Sequence, residues 1–181
     1  MIDSAVKLKR VLEYERKLYI KGGVFSEFKL RVISDSNYLL WHYVKMLRKT
    51  EYYYNIGNKL LYEFYQRRKN KEGARLGISI FHNCFEEGLK LHHYGSIIVN
   101  SHARIGKNAQ LHGNNCIGNK GEDKMFEAPN IGDNLDLGVG ASILGGIRIA
   151  SNVTVGANAV VIKDCLDEGN VLIGIPAKPR R

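Results

Sequence analysis

From residue 99 onward an aliphatic side chain returns at every sixth position: Val99, Ile105, Leu111 and Ile117, then Ile131, Leu137, Ile143, Ile149, Val155 and Val161. Glycine directly follows several of them, as in "IGKNAQ", "IGDNLD" and "VGANAV". A period of six suits neither a lone helix nor a hairpin meander, whose apolar faces recur at shorter spacings. It suits a parallel β-helix in which three six-residue faces make one turn, with the aliphatic residues stacked inward and glycine at the corners. A coil of this type is narrow and filled by its own side chains. A ligand must therefore lie outside it, against a neighbouring coil, which calls for an oligomer, most simply a closed cyclic one.

The period is broken twice. Leu91 to Val99 spans eight residues instead of six, and the extra length carries His92, His93 and Tyr94. Ile117 to Ile131 spans fourteen, which predicts an inserted loop over 118–130. Because adjacent residues of an extended chain point to opposite faces, at most one of His92 and His93 can face a given site.

The first 75 residues are of a different kind. They hold nine of the ten tyrosines, the only tryptophan (Trp41) and 17 Lys/Arg against 8 Asp/Glu, whereas residues 76–181 hold 10 of each. We read an α-helical subdomain over 1–75 and the β-helix over 76–181. One helix is expected over 4–19, with Ala5, Leu8 and Leu12 on one side. A second starts at Ser36 or Asn37 as N-cap, with Leu40, Val44 and Leu47 on one face. Tyr53, Ile56, Leu60 and Phe64 continue as a further packing stripe, interrupted by Gly57, and residues 24–33 alternate too weakly to assign. "RRKNK" at 67–71 reads as a solvated helix end whose cations suit the negative pole of the helix dipole, not as a nucleic-acid footprint. No apolar run is long enough to insert in a membrane, the charged N-terminus lacks a signal-peptide segment, and Cys84, Cys116 and Cys165 have no CxxC spacing. Free, packed thiols and a cytoplasmic location are expected.

Residues 76–178 resemble the hexapeptide-repeat acyltransferases, specifically the serine acetyltransferase-like branch. The resemblance rests on "GLKLHHYGSIIVN", the loop opening "IGNKGEDK" and closing "APNIGDN", then "GVGASILGGIRIA", "VGANAVVIKD" and the finish "VLIGIPAKP". It implies a left-handed β-helix, a homotrimer with active sites between subunits, and acetyl transfer from acetyl-CoA to a hydroxyl group. His93, just before "YGS", falls at the family's general base, a role that an imidazole titrating near neutrality can fill. Acetyl-CoA is expected along the small residues Gly118, Gly121, Ala141, Ala157 and Ala159, with Lys163 and Lys178 as phosphate partners. No metal is expected.

The acceptor positions depart from the family. The aspartate beside the catalytic histidine is His92 here, and the Arg-His pair before the loop's proline is Glu127 and Ala128. The carboxylate that orients the base falls on Ile78 by ungapped counting. His92, Glu127 and Asn83 are therefore the expected acceptor contacts. They suit a polyol, which favours a sugar of surface-polysaccharide biosynthesis over the alternative, serine. Two remoter readings are a zinc site like that of the γ-class carbonic anhydrases, built from His82, His92, His93, His102 and His112, and a catalytically inactive scaffold.

Overall fold

The computed structural model describes residues 1–124 and 126–180. Four helices come first: α1 (Ala5–Tyr19), α2 (Val24–Val32), α3 (Ser36–Asn55) and α4 (Lys59–Leu76). Side-chain oxygens cap three of their starts. Ser4 accepts from the Lys7 amide, Asp35 from Asn37 and Asn58 from Leu61. The cap of α3 is thus Asp35, ahead of both expected candidates, Ser36 and Asn37. Residues 24–33, too weakly patterned to assign, form α2.

Leu40, Val44 and Leu47 of α3 are fully buried as expected. On α1 the buried face is Val11, Glu15 and Tyr19, adjacent to the predicted one, because a buried cation described below draws Glu15 inward. The stripe from Tyr53 to Phe64 is not a packing face. The chain breaks at 56–58, where Gly57 takes φ +73°, and Ile56, Leu60 and Phe64 stay exposed around the α3–α4 turn. Lys69, in the middle of the basic run, is buried and donates to the Ile80 carbonyl at 2.8 Å, so only the run's flanks are solvated.

Gly77 ends α4 in the left-handed region at φ +71°, and a side chain there would press the Gly95 carbonyl. The coil begins at the next residue. Three parallel sheets line its sides. The first stacks Ile78–Ser79, Ile97–Val99, Cys116–Gly118, Ser142–Leu144 and Val160–Val161. The second stacks Arg104–Ile105, Asn130–Ile131 and Arg148–Ile149, extended by bridges to Phe85 and Cys165. The third stacks Lys90–Leu91, Gln110–Leu111, Asp136–Leu137, Thr154–Val155 and Val171–Ile173, then closes with antiparallel Lys178–Pro179. Successive turns pair in register, Leu91 beside Leu111 and Leu111 beside Leu137.

Every residue of the six-residue series is buried, from Val99 to Val161. A second inward position, two residues earlier, holds Ile97, Ala103, Ala109, Leu135, Ala141, Ile147, Val153 and Ala159. Fully burying one of the larger aliphatics stabilises by about 1.5–3 kcal/mol, so this column accounts for much of the fold.

One buried cluster joins helices to coil. Arg48 donates to Glu15 at 2.7 Å, to Glu51 at 2.8 Å and to the Phe85 and Glu86 carbonyls at 2.9 and 2.6 Å. Burial alone would lower the Arg48 pKa, but the two carboxylates overcome it and hold the guanidinium charged. Glu15 also accepts the Gly88 and Leu89 amides.

Candidate active site

The edge where the third sheet turns into the first is built from residues 92–96, 112–115, 138–141 and 156–159 of successive turns. In the lowest turn two additional residues carry the chain outward between Leu91 and Ile97, and His93 and Tyr94 are exposed there. His93 opens onto a shallow cavity of about 450 Å³, whose walls include His112, Asp136, Thr154, Val139 and Ala157.

His92 is not among the residues lining that cavity; it packs beside the wall instead. Its Nε2 lies 3.0 Å from Gln110 Oε1, and its ring stacks on His112 with centroids 4.2 Å apart and planes 2° from parallel. Burial lowers the His92 pKa below the usual imidazole value, with the Gln110 hydrogen bond opposing and His112 and Lys90 reinforcing. His112 Nε2 is 2.8 Å from Asp136 Oδ1. The wall beside His93 therefore carries an imidazole–carboxylate pair. Sequence reasoning weighed His112 only as a metal ligand and passed over Asp136. A signal was present: His92 and His112 follow Leu91 and Leu111, which the repeat places side by side.

The other expected contacts divide between two edges. Ala157 lines the His93 cavity; Ala141 and Ala159 share its edge but point into the core, where they pack. Gly118, Gly121, Glu127 and Lys163 lie on a different edge, between the first and second sheets. There the inserted loop runs from the strand Cys116–Gly118 through a short 3-10 turn, Glu122–Lys124, to Asn130. Glu127 is exposed and sits 3.5 Å from Lys124. Asn83 is on that second edge as well and is already engaged, exchanging hydrogen bonds with Asn55 at 3.1 and 2.9 Å, so it is a strut to α3 and not a contact of the His93 cavity. Lys178 is exposed on the closing strand.

Among the described residues no three His, Cys, Asp or Glu side chains gather as a metal site. Burial pushes the Cys84 thiol up to about 11 and raises Cys116 as well, which suits packing rather than nucleophilic roles. The larger cavity of about 680 Å³ lies between α1, α3 and the second sheet, and its charges are largely paired, Arg10 and Lys107 with Glu87 at 2.7 and 3.6 Å.

An edge of small residues rising beside an outward histidine, on a parallel coil with helices before it, defines a hexapeptide-repeat architecture, and known proteins agree. No family model matches the chain. The serine acetyltransferase of Staphylococcus epidermidis is 32% identical over 104 residues, which are 58% of this chain and 44% of that protein. The chain thus spans less than half the length of the curated relatives it matches. Among solved structures, the Neisseria gonorrhoeae serine acetyltransferase superposes with a TM-score of 0.71 at 26% identity over 98% of this chain and 68% of that one. The Brucella abortus serine acetyltransferase, solved with coenzyme A, gives 0.74 at 23% identity over 97% and 68%, a likeness of fold alone. The chain is similar to serine acetyltransferases, and its coil matches the left-handed hexapeptide-repeat β-helix of their solved structures.

Proposed function

We propose that the protein transfers an acetyl group from acetyl-CoA to the hydroxyl of a small acceptor, with His93 as general base. The observation that carries this reading is the stretched corner, which lifts one imidazole off the packed wall into a cavity bordered by small residues. A neutral hydroxyl attacks a thioester poorly until its proton is removed, and an imidazole titrating near ~6.5 can remove it at neutral pH. The oxygen bonds to the acetyl carbon and the tetrahedral intermediate expels the CoA thiolate. The thiolate then recovers the proton from the His93 imidazolium, so the base is regenerated. Gly138, Gly156 and Ala157 line the cavity, the side along which a pantetheine arm would run. Glu127 and the loop lie on another edge, which supports a site completed by a neighbouring subunit of a cyclic trimer.

Serine is the first acceptor to consider, because the relatives and neighbours are serine acetyltransferases, one of them, from Neisseria gonorrhoeae, solved with serine. No relative reported above supports the polysaccharide acceptor favoured by the sequence. One observation keeps an uncharged acceptor as a second reading: among the described residues, the cavity wall holds Asp136 and imidazoles but no lysine or arginine to receive a carboxylate. The deciding experiment is thiol release from acetyl-CoA with serine, homoserine and a panel of sugars and nucleotide sugars. Turnover with any of them supports the reaction and identifies the acceptor class. Coenzyme A release with none of them, by a folded protein, contradicts it.

A further inference from the structure

The helix α2 buries none of its residues completely, and its outward side is apolar. Val24, Phe25, Phe28 and Val32 are 83, 84, 60 and 65% exposed, and Ile33 just beyond is 61% exposed. At about 100° per residue, Val24, Phe28, Val32 and Phe25 fall within one arc of about 100°. Lys29 lies about 40° outside one edge of that arc and Arg31 about 20° outside the other. The inward side is Ser26, Glu27 and Leu30. Glu27, the only acid of the helix, is turned away from the apolar face, taking Arg16 at 2.6 Å and the Trp41 indole at 3.3 Å. Nothing negative therefore interrupts the outward face.

The cationic rim continues beyond the helix. Arg68, Lys45 and Arg31 all act on the half-buried His42, opposed by Glu72 of α4, so cations from α2, α3 and α4 outnumber the one acid in that neighbourhood. Lys17 and Lys21 are exposed just ahead of α2. Residues 1–75 carry the whole net charge of +9.

We propose that α2 is an interfacial docking helix, which lays Phe25, Phe28, Val24 and Val32 into an anionic lipid surface while Lys29 and Arg31 reach the headgroups. Bulky apolar side chains flanked by cations on long stems are the pattern that such a surface binds. A second copy of this chain fits the face less well, since apposed α2 helices would bring the Lys29 and Arg31 of both copies together. Nucleic acid would use the cations and leave two phenylalanines in water. The contact is superficial and differs from membrane insertion: among the described residues, no helix is long and apolar enough to cross a bilayer.

The test is co-sedimentation of the full chain with vesicles of phosphatidylcholine containing about 30% phosphatidylglycerol, and with phosphatidylcholine alone. Binding is expected only to the anionic vesicles and should weaken with salt. Phe25→Ser/Phe28→Ser and Lys29→Glu/Arg31→Glu should each lower the partition coefficient at least about tenfold. Both pairs are exposed, so melting temperature, native mass and the emission of the single tryptophan, Trp41, should stay as in the parent. Three results would overturn the proposal: no binding to anionic vesicles, undiminished binding by the phenylalanine variant, or a smaller native mass for that variant, which would make the face a self-interface.

Discussion

The coil and the helices that precede it are stabilised in different ways. In the coil, stability is spread over a column of equivalent aliphatics, each turn supported by the one beneath it. The helical region shares that apolar core through Leu40, Tyr43, Val44 and Leu47, but its seat on the coil adds particular polar contacts. Arg48 is caged by Glu15, Glu51 and two carbonyls, Tyr19 Oη donates to the Leu89 carbonyl at 3.0 Å and accepts from the Leu91 amide at 2.8 Å, and Lys69 reaches Ile80. A distributed core tolerates local damage, whereas a seat built on one buried charge fails when that charge is lost. The functional edge starts where the two meet, at the His93 corner that follows the braced segment 89–91, and rises along the coil to Ala157.

The largest effect that would sharpen this contrast is expected from Arg48→Met. Removing the cation leaves Glu15 and Glu51 buried without their partner, a change that costs about 3–5 kcal/mol. Urea unfolding should report the loss, and hydrogen exchange should show α1 and α3 opening while the amides of 131–161 stay protected. Uniform loosening of both regions would break the comparison.

A smaller loss is expected within the coil from Asn134→Ala. Asn108, Asn134 and Asn152 occupy left-handed corners at φ +58°, +57° and +62° and pass side-chain hydrogen bonds up the edge at 3.1 and 2.8 Å. Alanine should lose roughly 1–2 kcal/mol from backbone strain alone. Asn134→Gly, relieved of that strain, should lose less. Equal losses in the two variants would show that the left-handed corner is not what asparagine serves there.

The smallest expected effect is a pH dependence centred on the helical side. Burial lowers the pKa of His42, His82 and His92, and His82 packs its ring against Tyr54 at 4.1 Å. These groups stay neutral in the fold while the unfolded chain takes up protons below about 6.5, so stability is full above that pH and is lost as pH falls through the window beneath it. His82→Phe keeps a ring and removes a proton site, and denaturation midpoints measured across the window should fall less steeply for it. An unchanged slope would remove His82 from the account.

The coil was legible because inward packing repeats one requirement every six residues, and both interruptions of the period mark real departures of the chain. The stretched corner at His93 and the loop after Gly118 are where the strands place them. What escaped has physical reasons. α2 has an exposed apolar face, so burial periodicity could not reveal it. Arg48 and Glu15 are charged residues in a core, and polarity patterns assign such residues to the surface. The stripe from Tyr53 to Phe64 has helical spacing but straddles the break at Gly57. Asp136 meets His112 between adjacent turns of the coil, a contact set by three-dimensional register and not by proximity in the chain.

His93 stands at the centre of the functional account, and His93→Ala tests it most directly. Its side chain is exposed at a corner, so the variant should fold and melt like the parent. With the accepted hydroxyl substrate, thiol release from acetyl-CoA should fall by about 10²–10⁴-fold, the usual consequence of losing a general base. A folded His93→Ala protein that keeps most of the parent's turnover would contradict the assignment.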